Sequence, residues 1–496
     1  MRKFLSSLFA LAAIQLSAQS DTCFDPNSKA YYKCNRTEAK ICVEYLINDL
    51  EELQEKLLTV HPDPYAYSGK MKFDSAYSKA FSYYTEERTM IEHAQNLNRF
   101  SRIVSDSHLQ THVFSLTSEA SYFDTGFLPL FILAINDKFY IEKDYVGGPP
   151  VGSEIISIGK LSMSELHELA KEWCVDEGEA TKSSEEAANY YYTSAHFFAN
   201  PNQLSGDLET IRYTYNNELD SVIIELLDFQ EIRKIRKQYF NLSKKNIESS
   251  FFSTEKKAIL KLNSFSPAIF QNDRKKIRKF FQTTKEMGIN DIAIDVRNNP
   301  GGSSSMVEFL CSFLTTEGIN TPSNIIWKAS EYSYPLISHF RMKHFPKSTE
   351  KKFKRNEDLY QYFILYNTSI EESDTAYFTI PQRQRISDIY LGNITLFMNG
   401  NTASAACDFS QLMLNNRRAT LIGTPCNATI NGTWGNPVTF QLNESGITIS
   451  IPTIRYNYNN TFSYSIEPIL PNITLITTPE DLKEGKDTFL EYFLNN

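Results

Sequence analysis

The chain has 496 residues, and at about 150 residues per domain this length predicts roughly three domains. Hydrophobic residues make up 41% and charged residues 22% of the chain, a globular composition that excludes a mainly disordered protein. Fifty Lys and Arg residues against 59 Asp and Glu residues give a net charge of −9 without a long basic block. Nucleic acid is therefore not an expected partner, because phosphate binding needs a concentrated basic surface.

Residues 1–18 have the order of a secretory signal peptide. Arg2 and Lys3 precede an apolar run over residues 4–14, and the small residues Ser17 and Ala18 follow. This order is typical of an exported protein, and the run is too short to span a bilayer. No later segment reaches the ~18 consecutive apolar residues of a membrane span. We therefore expect an exported chain, periplasmic or extracellular, without a membrane span.

The seven cysteines are sparse for a chain of this length. Export permits disulfides, and Cys23, Cys34 and Cys42 are close enough in sequence for one bridge among them. Cys311 and Cys407 lie in apolar helical segments and are expected to be buried thiols. The sequence contains no Cys-x-x-Cys pair, so zinc-finger and thioredoxin-like sites are not expected.

The first half of the chain changes its periodicity near residue 118. A helical N-terminal region is predicted over 19–118, with helical spacing interrupted at His61-Pro62-Asp63-Pro64 and resuming over about 72–105. Residues 119–245 form a second unit with short apolar runs and two strands separated by Asn216-Asn217. Within it, residues 233–245 are basic and polar and are predicted to be a linker.

Residues 250–480 alternate strands and helices, the pattern of an α/β fold. The predicted strands are 257–262, 291–296, 394–398, 419–422, 438–442 and 447–451, and the predicted helices are 273–287 and 404–415. Residues 481–496 are left as a C-terminal helix or tail. The overall prediction is a multidomain α/β protein.

Two strand-to-helix junctions in this half have the residues of a serine hydrolase. Gly301 and Gly302 follow a strand, where adjacent glycines allow a close backbone approach with outward N–H groups. Ser404 begins a helix after another strand, where a hydroxyl is exposed and neighbouring N–H groups can stabilise an oxyanion. Spacing alone leaves two other interpretations open: Ser404 as a helix N-cap and the diglycine as a simple turn.

Four stretches in order along the chain resemble the tail-specific (C-terminal processing) serine peptidases. They are DIAIDVRNNPGG at 291–302, NTASAA at 401–406, RATLIG at 418–423 and IEP at 466–468. The resemblance covers residues 255–475 and implies a serine-peptidase core of the ClpP/crotonase-like type. In addition, VGSEIISI at 151–158 resembles a strand of a PDZ domain, a usual companion of that core, so residues 119–245 are expected to be PDZ-like.

The resemblance implies that Ser404 is the nucleophile and that the N–H groups of Ala405 and of the Gly301/Gly302 turn bind the oxyanion. Many members of the family use a lysine base about 25 residues after the serine, by resemblance, but no lysine occurs here between Ser404 and Lys483. A serine–lysine dyad at that position is therefore excluded.

The tricorn-like branch of the family, with its retinoid-binding-protein relatives, uses instead a histidine in an Asp-(Gly/Ser)-His motif. Asp106-Ser107-His108 matches that motif, and neutral imidazole is a competent base near pH 7. By the same resemblance, Ser107 bonds a supporting carboxylate, for which Glu467 is the candidate. Asp106 and Asp408 remain alternatives for that carboxylate.

His108 has two other interpretations, a hydrogen-bonded histidine at a helix end and a metal ligand paired with His112. The second is disfavoured because Leu109 stands where a His-Glu-x-x-His zinc motif needs Glu. We therefore expect an exported serine endopeptidase that acts on proteins or peptides without a metal or cofactor. The rival hypothesis is a catalytically inactive protein that holds a peptide or apolar ligand on the same scaffold.

Overall fold

The computed structural model describes fourteen stretches of the chain. They are residues 24–25, 30–31, 40–112, 125–143, 145, 147–178, 181–239, 246–265, 270–315, 324–328, 330, 375–379, 389–457 and 464–496. The predicted signal peptide, Cys23 and Cys34 lie outside them. None of the helices in these stretches has the length and apolar character that crossing a membrane requires.

The described residues of the N-terminal region form five short strands and three α-helices. They are β1 (Phe24–Asp25), β2 (Ala30–Tyr31), β3 (Lys40–Ile41), α1 (Val43–Val60), α2 (Lys70–Ser82), β4 (Arg88–Thr89), α3 (Met90–Ser101) and β5 (Gln110–His112). Leucines of α1 at helical spacing are fully buried, which accounts for the predicted first helix. The predicted stretch over 72–105 is divided in two, because Thr89 and Glu92 form a capping box that starts α3 anew.

The second unit is built on one antiparallel sheet with helices packed against it. Its elements are β6 (Ile132–Ile135), β7 (Lys138–Ile141), β8 (Glu154–Ile158), β9 (Leu161–Ser162), α4 (Met163–Lys171), α5 (Thr181–Ala187), α6 (Tyr192–Ala199), β10 (Leu208–Tyr215), β11 (Glu218–Glu225) and α7 (Phe229–Tyr239). The strand order is β11-β10-β8-β7-β6, with β9 paired to β8. Asn216 and Asn217 make the predicted turn with φ of 52° and 67°. The linker prediction is wrong for residues 233–239, which belong to α7 and follow the buried Ile232.

The described residues of the C-terminal half form two sheets. Its elements are β12 (Ile247–Phe252), β13 (Lys257–Leu262), α8 (Phe270–Glu286), β14 (Asp291–Asp295), α9 (Ser304–Cys311), β15 (Asn324–Lys328), β16 (Thr375–Thr379), β17 (Asn393–Met398), α10 (Ala405–Asn415), β18 (Thr420–Gly423), β19 (Gly432–Gln441), β20 (Thr448–Asn457), β21 (Ile473–Thr474), α11 (Pro479–Glu484) and α12 (Thr488–Asn495). The first sheet has the order β12-β13-β14-β17-β18-β21, and all its pairs except β12–β13 are parallel. The second has the order β16-β15-β20-β19. The predicted α/β class is confirmed.

The main core lies around the parallel strands. Ile292, Ala293 and Ile294 of β14 are completely buried, because helices cover both faces of the sheet. Cys311 and Cys407 lie in this core as buried free thiols, as predicted. The carboxyl ends of β14 and β17 are adjacent in the same sheet, and this edge is where open α/β folds place their sites.

Strand β5 ties the N-terminal region to the second sheet of the C-terminal half. The helical prediction is wrong for residues 110–112, because they pair with β20 in the register His112 opposite Thr448. The His112 ring also bonds Ser450 Oγ through Nε2 at 2.8 Å. This pairing fixes where the Asp106-Ser107-His108 segment, which immediately precedes β5, meets the C-terminal half.

Candidate active site

The loops after β14 and β17 are bonded to each other. Asn298 N donates to Asn399 Oδ1 at 2.9 Å, and Asn399 Nδ2 returns a bond to Asn298 Oδ1 at 2.8 Å. Ala403 N donates to the carbonyl of Asn299 at 3.0 Å. The parallel pairing of the two strands therefore brings together the two junctions that the sequence analysis singled out.

Gly301 packs directly against Ser404. A Cβ placed on Gly301 would lie 2.6 Å from Ser404 Cβ, 2.7 Å from the Ala403 carbonyl oxygen and 2.8 Å from Ala405 N, and the residue has a φ of 94°. Only glycine tolerates both the left-handed backbone and this approach. The diglycine is thus more than a simple turn, because Gly301 packs against the turn that contains Ser404.

The Ser404 backbone has φ 52° and ψ −128°, left-handed values that a residue with a side chain rarely adopts. Such a conformation costs about 1–3 kcal/mol and persists where the surroundings enforce it, often at active sites. Ser404 precedes α10 in the N-cap position, but its side chain makes no capping bond to the described helix. The N-cap interpretation is therefore not supported, and Ser404 lies on a strained strand-to-helix turn, a geometry typical of nucleophilic serines.

The N–H groups of the diglycine differ in their availability. Gly301 N donates to Asn299 Oδ1 at 2.9 Å, so its hydrogen bond is used within the loop. This corrects the expectation that either glycine could bind an oxyanion. The candidate donors are therefore the N–H groups of Gly302 and of Ala405, the latter at the N-terminus of α10, where the helix dipole also favours negative charge.

The histidine segment is held by a buried carboxylate. Asp106 is fully buried; its Oδ1 accepts from His108 N at 2.7 Å, and its Oδ2 lies 2.8 Å from His61 Nε2. Because Asp63 N donates to His61 Nδ1, the neutral His61 ring carries its proton on Nε2 and donates it to Asp106. Asp106 Oδ1 is also 3.8 Å from His108 Nδ1. Asp106 thus fixes the backbone on which His108 is presented.

Ser107 bonds Glu177, a carboxylate that the sequence analysis missed. Ser107 Oγ donates to Glu177 Oε2 at 2.8 Å, and Ser107 N donates to the same oxygen at 3.1 Å. The hydroxyl is also 3.3 Å from His108 Nδ1. Glu177 is fully buried and receives a further bond from Tyr67 Oη at 3.2 Å. The predicted relay from Ser107 to a carboxylate is present, with Glu177 as the acceptor.

Glu467, the carboxylate predicted for this role, lies elsewhere. Its side chain is exposed, its N donates to Ser465 Oγ, and its carbonyl accepts from Ile430 N. The structure therefore corrects the assignment of the supporting carboxylate from Glu467 to Glu177. No motif marked Glu177, which stands in a Tyr-rich, charged stretch; only its burial distinguishes it.

Burial sets the protonation of these groups. Desolvation lowers the pKa of His108, with Asp106 acting in the opposite direction, so the imidazole is neutral near pH 7 as a general base must be. Burial raises the pKa of Glu177, and the charge of Asp106 adds to it, while Arg455 opposes the shift. Burial raises the pKa of Asp408 to about 8 as well, so protonation does not distinguish the two carboxyls. The contact does, because Ser107 Oγ donates to Glu177 at 2.8 Å.

Asn427 connects the carboxylate to the serine turn. Its Oδ1 accepts from Glu177 N at 3.0 Å, and its own N donates to the carbonyl of Thr402 at 2.9 Å. It also forms a β-bridge with Ala403, the residue before Ser404. Asn427 lies in the stretch where the resemblance would have placed a lysine. A short chain of bonds thus links Ser107 through Glu177 and Asn427 to the Ser404 turn.

One group of side chains in the described part of the chain has the spacing of a metal site. Ligand atoms of Asp106, His108 and Glu177 all lie within 4.8 Å of one another. The guanidinium of the buried Arg455 is 3.8 Å from Glu177, and a positive charge at that distance opposes the binding of a cation. His112 is not part of this group, because it bonds Ser450 on the second sheet.

Residues 256–475 match the family model of Peptidase family S41. The predicted family is confirmed over this S41 region. The match contains the diglycine, Ser404 and Asn427, whereas Ser107, His108 and Glu177 lie before it in the sequence. The candidate site is therefore assembled from the S41 region together with the two units that precede it.

Solved structures share the fold across most of the chain. A point mutant of CPAF is similar at 16% identity with a TM-score of 0.63, covering 91% of this chain and 96% of that one. Mature CPAF is similar at 17% identity with a TM-score of 0.60 and the same coverage. Mature CPAF complexed with lactacystin is similar at 18% identity with a TM-score of 0.60, covering 91% of this chain and 97% of that one. No curated protein matches this chain in sequence. The fold shared with these structures therefore extends beyond the S41 region, over 91% of the chain.

Proposed function

We propose that the protein is a serine endopeptidase in which Ser404 is the nucleophile and His108 is the general base. The observation that carries the proposal is the strained Ser404 turn, with φ 52° and its Cβ against Gly301. Strain of this kind is kept where function needs it. The S41 match supports peptide hydrolysis as the reaction.

In the proposed mechanism, Ser404 Oγ attacks the scissile carbonyl carbon while His108 takes the hydroxyl proton. The N–H groups of Gly302 and Ala405 bind the oxyanion of the tetrahedral intermediate. The C–N bond then breaks as His108 returns the proton to the leaving amine, and an acyl-enzyme remains on Ser404. Water, deprotonated by His108, hydrolyses the ester and regenerates the serine.

Ser107 and Glu177 act behind the histidine. The Ser107 hydroxyl donates to Glu177 and lies 3.3 Å from His108 Nδ1, so it can hold the ring in one orientation. Asp106 adds negative charge close to the imidazolium that forms when His108 takes the proton. The tricorn-like arrangement inferred from the sequence is thus retained in this proposal, with a carboxylate from the second unit.

Protein or peptide substrates are supported by the S41 match. We further propose that the protein works outside the cytoplasm, on the strength of the signal-like residues 1–18.

Hydrolysis of an unfolded, fluorescently labelled protein tests the proposal. The wild-type chain should cleave it, and Ser404→Ala should not. Ser410→Ala is a matched control, because Ser410 lies on the same helix with its hydroxyl bonded to the Ala406 carbonyl, away from the turn. Wild-type protein that binds the substrate without cleaving it would instead support the inactive ligand-binding hypothesis.

A further inference from the structure

Residues 181–190, which we call the bridging segment, are the part of the second unit that contacts the Ser404 loop. The segment consists of α5 and a short 3-10 turn, residues 188–190. It belongs to neither the S41 region nor the Asp106-Ser107-His108 segment. The catalytic mechanism above makes no use of it, although it touches the loop that carries the nucleophile.

Glu186 of the bridging segment holds two loops of the S41 region with one carboxylate. Gly400 N donates to Glu186 Oε2 at 2.8 Å, and the Thr424 hydroxyl donates to Glu186 Oε1. Gly400 lies four residues before Ser404, and Thr424 directly follows β18. The carboxylate thus joins the loops after two neighbouring parallel strands, on the edge of the sheet where the candidate site lies.

The close approach at Gly400 shows how firmly the segment is seated. A Cβ on Gly400 would lie 2.9 Å from Glu186 Cβ and 3.0 Å from Ser183 Cα. These distances leave no room for a side chain, so the backbone of the Ser404 loop rests directly on the bridging segment. The contact is therefore a packed interface as well as a hydrogen bond.

The other side of the bridging segment contacts the rest of the second unit. Ala134 N, on the edge strand β6, donates to Asn189 Oδ1 at 3.1 Å. Glu185 bonds His167 Nε2 at 2.6 Å and Lys171 Nζ at 2.7 Å, both on α4. Adjacent residues thus face opposite partners, since Glu185 faces the second unit and Glu186 faces the S41 region.

We propose that Glu186 is a positioning residue for Ser404, through which the second unit holds the nucleophile turn in its reactive geometry. The left-handed Ser404 backbone needs its loop fixed on both sides. The Asn298–Asn399 bonds fix it toward the diglycine, and Glu186 fixes it toward the second unit. This inference rests on the proposed function, because it assigns a residue that acts on Ser404 without touching the substrate.

Burial raises the pKa of Glu186, while its bonds from Thr424 and Gly400 lower it. Both donors favour the ionised form, because a carboxylate accepts hydrogen bonds on each oxygen. Removing the carboxylate would leave the Gly400 N–H unpaired and free the Thr424 loop. The Ser404 loop would then lose the attachment that Glu186 makes.

Glu186→Ala tests the inference by a split between kcat and KM. We expect kcat to fall by about 10- to 100-fold, the cost of misplacing a reacting group by about 1 Å, with KM within twofold of wild type. The rate at which a fluorophosphonate labels Ser404 should fall by the same factor. Glu186→Gln should restore most of both rates, because its amide oxygen accepts from Gly400 and its NH₂ donates to the Thr424 oxygen.

Glu185→Ala is the matched control, because it removes the neighbouring carboxylate and its bonds to α4 only. It should change the labelling rate less than twofold. An equal loss in Glu185→Ala and Glu186→Ala would overturn the proposal, since it would reflect general loosening of the segment. Labelling of Glu186→Ala at the wild-type rate would overturn it as well.

Thermal melting of each variant separates misfolding from misplacement. If Glu186→Ala does not fold, Thr424→Val replaces it, because valine keeps the shape and removes one of the two donors. It should slow labelling several-fold, and a wild-type rate would contradict the proposal. A wild-type chain that neither hydrolyses peptides nor reacts with the fluorophosphonate would refute the proposed function itself. A wild-type labelling rate in the Glu186 variants would refute only the positioning role of Glu186.

Discussion

Gly301→Ala tests whether the diglycine supports the nucleophile. In the structure, the new methyl group would lie 2.6 Å from Ser404 Cβ and 2.8 Å from Ala405 N. Carbon atoms in contact prefer about 3.5–4.0 Å. Relief of the overlap therefore requires the Ser404 turn or the glycine loop to move by about 1 Å.

The magnitude follows from that displacement. Misplacing a reacting group by about 1 Å costs about 10²-fold in turnover, equivalent to about 2.7 kcal/mol in activation free energy. Disturbing the oxyanion donors beside the turn adds to the loss, since one donor is worth about 10²–10³-fold. We expect kcat to fall by about 10²–10³-fold. The φ of 94° adds a stability cost of about 1–2 kcal/mol for alanine.

Gly288→Ala separates the two effects. Gly288 also has a positive φ, 61°, but a Cβ there would meet nothing within 4 Å. Gly288→Ala should therefore lose about 1–2 kcal/mol of stability and keep its turnover on a peptide substrate. Gly301→Ala should lose at least as much stability and also lose turnover. Equal kcat values for the two variants would refute the claim that Gly301 supports the Ser404 turn.

Three further results are expected. His108→Ala should lower kcat/KM by about 10²–10⁴-fold. In the wild type, kcat/KM should fall as pH drops through the His108 pKa, because only the neutral ring accepts a proton. Burial lowers that pKa, so the fall should lie below about pH 6.5. A wild-type profile without an acid limb at any pH at which the chain stays folded would exclude this base. Glu177→Ala should cost about tenfold or more in kcat, since the Ser107 N–H and hydroxyl lose their acceptor, and an unchanged kcat would return the supporting role to another carboxylate. EDTA should leave hydrolysis intact, because the positive charge of Arg455 opposes the binding of a cation beside Glu177. Loss of hydrolysis in EDTA, restored by zinc, would instead make the Asp106, His108 and Glu177 group a metal site.

The parallel strands were predictable from their local sequence. β14 and β17 agree with the predicted bounds within one residue, since apolar runs followed by turn residues are a strong local signal. Strand 257–262, in which buried and half-buried residues alternate, has the predicted bounds. The same signal placed Gly301 and Ser404 at strand ends. Their contact followed from parallel pairing, although the sequence could not give the strained φ of Ser404.

The supporting carboxylate was not predictable in this way. Glu177 reaches Ser107 through tertiary packing across seventy residues, and nothing in its local sequence separates it from other glutamates. The motif-based choice, Glu467, is exposed. Likewise, residues 110–112 form a strand only because β20 provides a partner, and that pairing depends on residues more than three hundred positions away. Long-range pairing overrides local propensity at both places.

Identification of the residue labelled by a fluorophosphonate most directly tests the central claim. The label bonds covalently to an activated serine, and mass spectrometry of the digested protein locates it. We expect one adduct, on Ser404. It should form more slowly in His108→Ala, and more slowly as pH falls below the His108 pKa. An adduct on another residue, or no adduct on a wild-type chain that hydrolyses peptides, would contradict the assignment of Ser404 as the nucleophile.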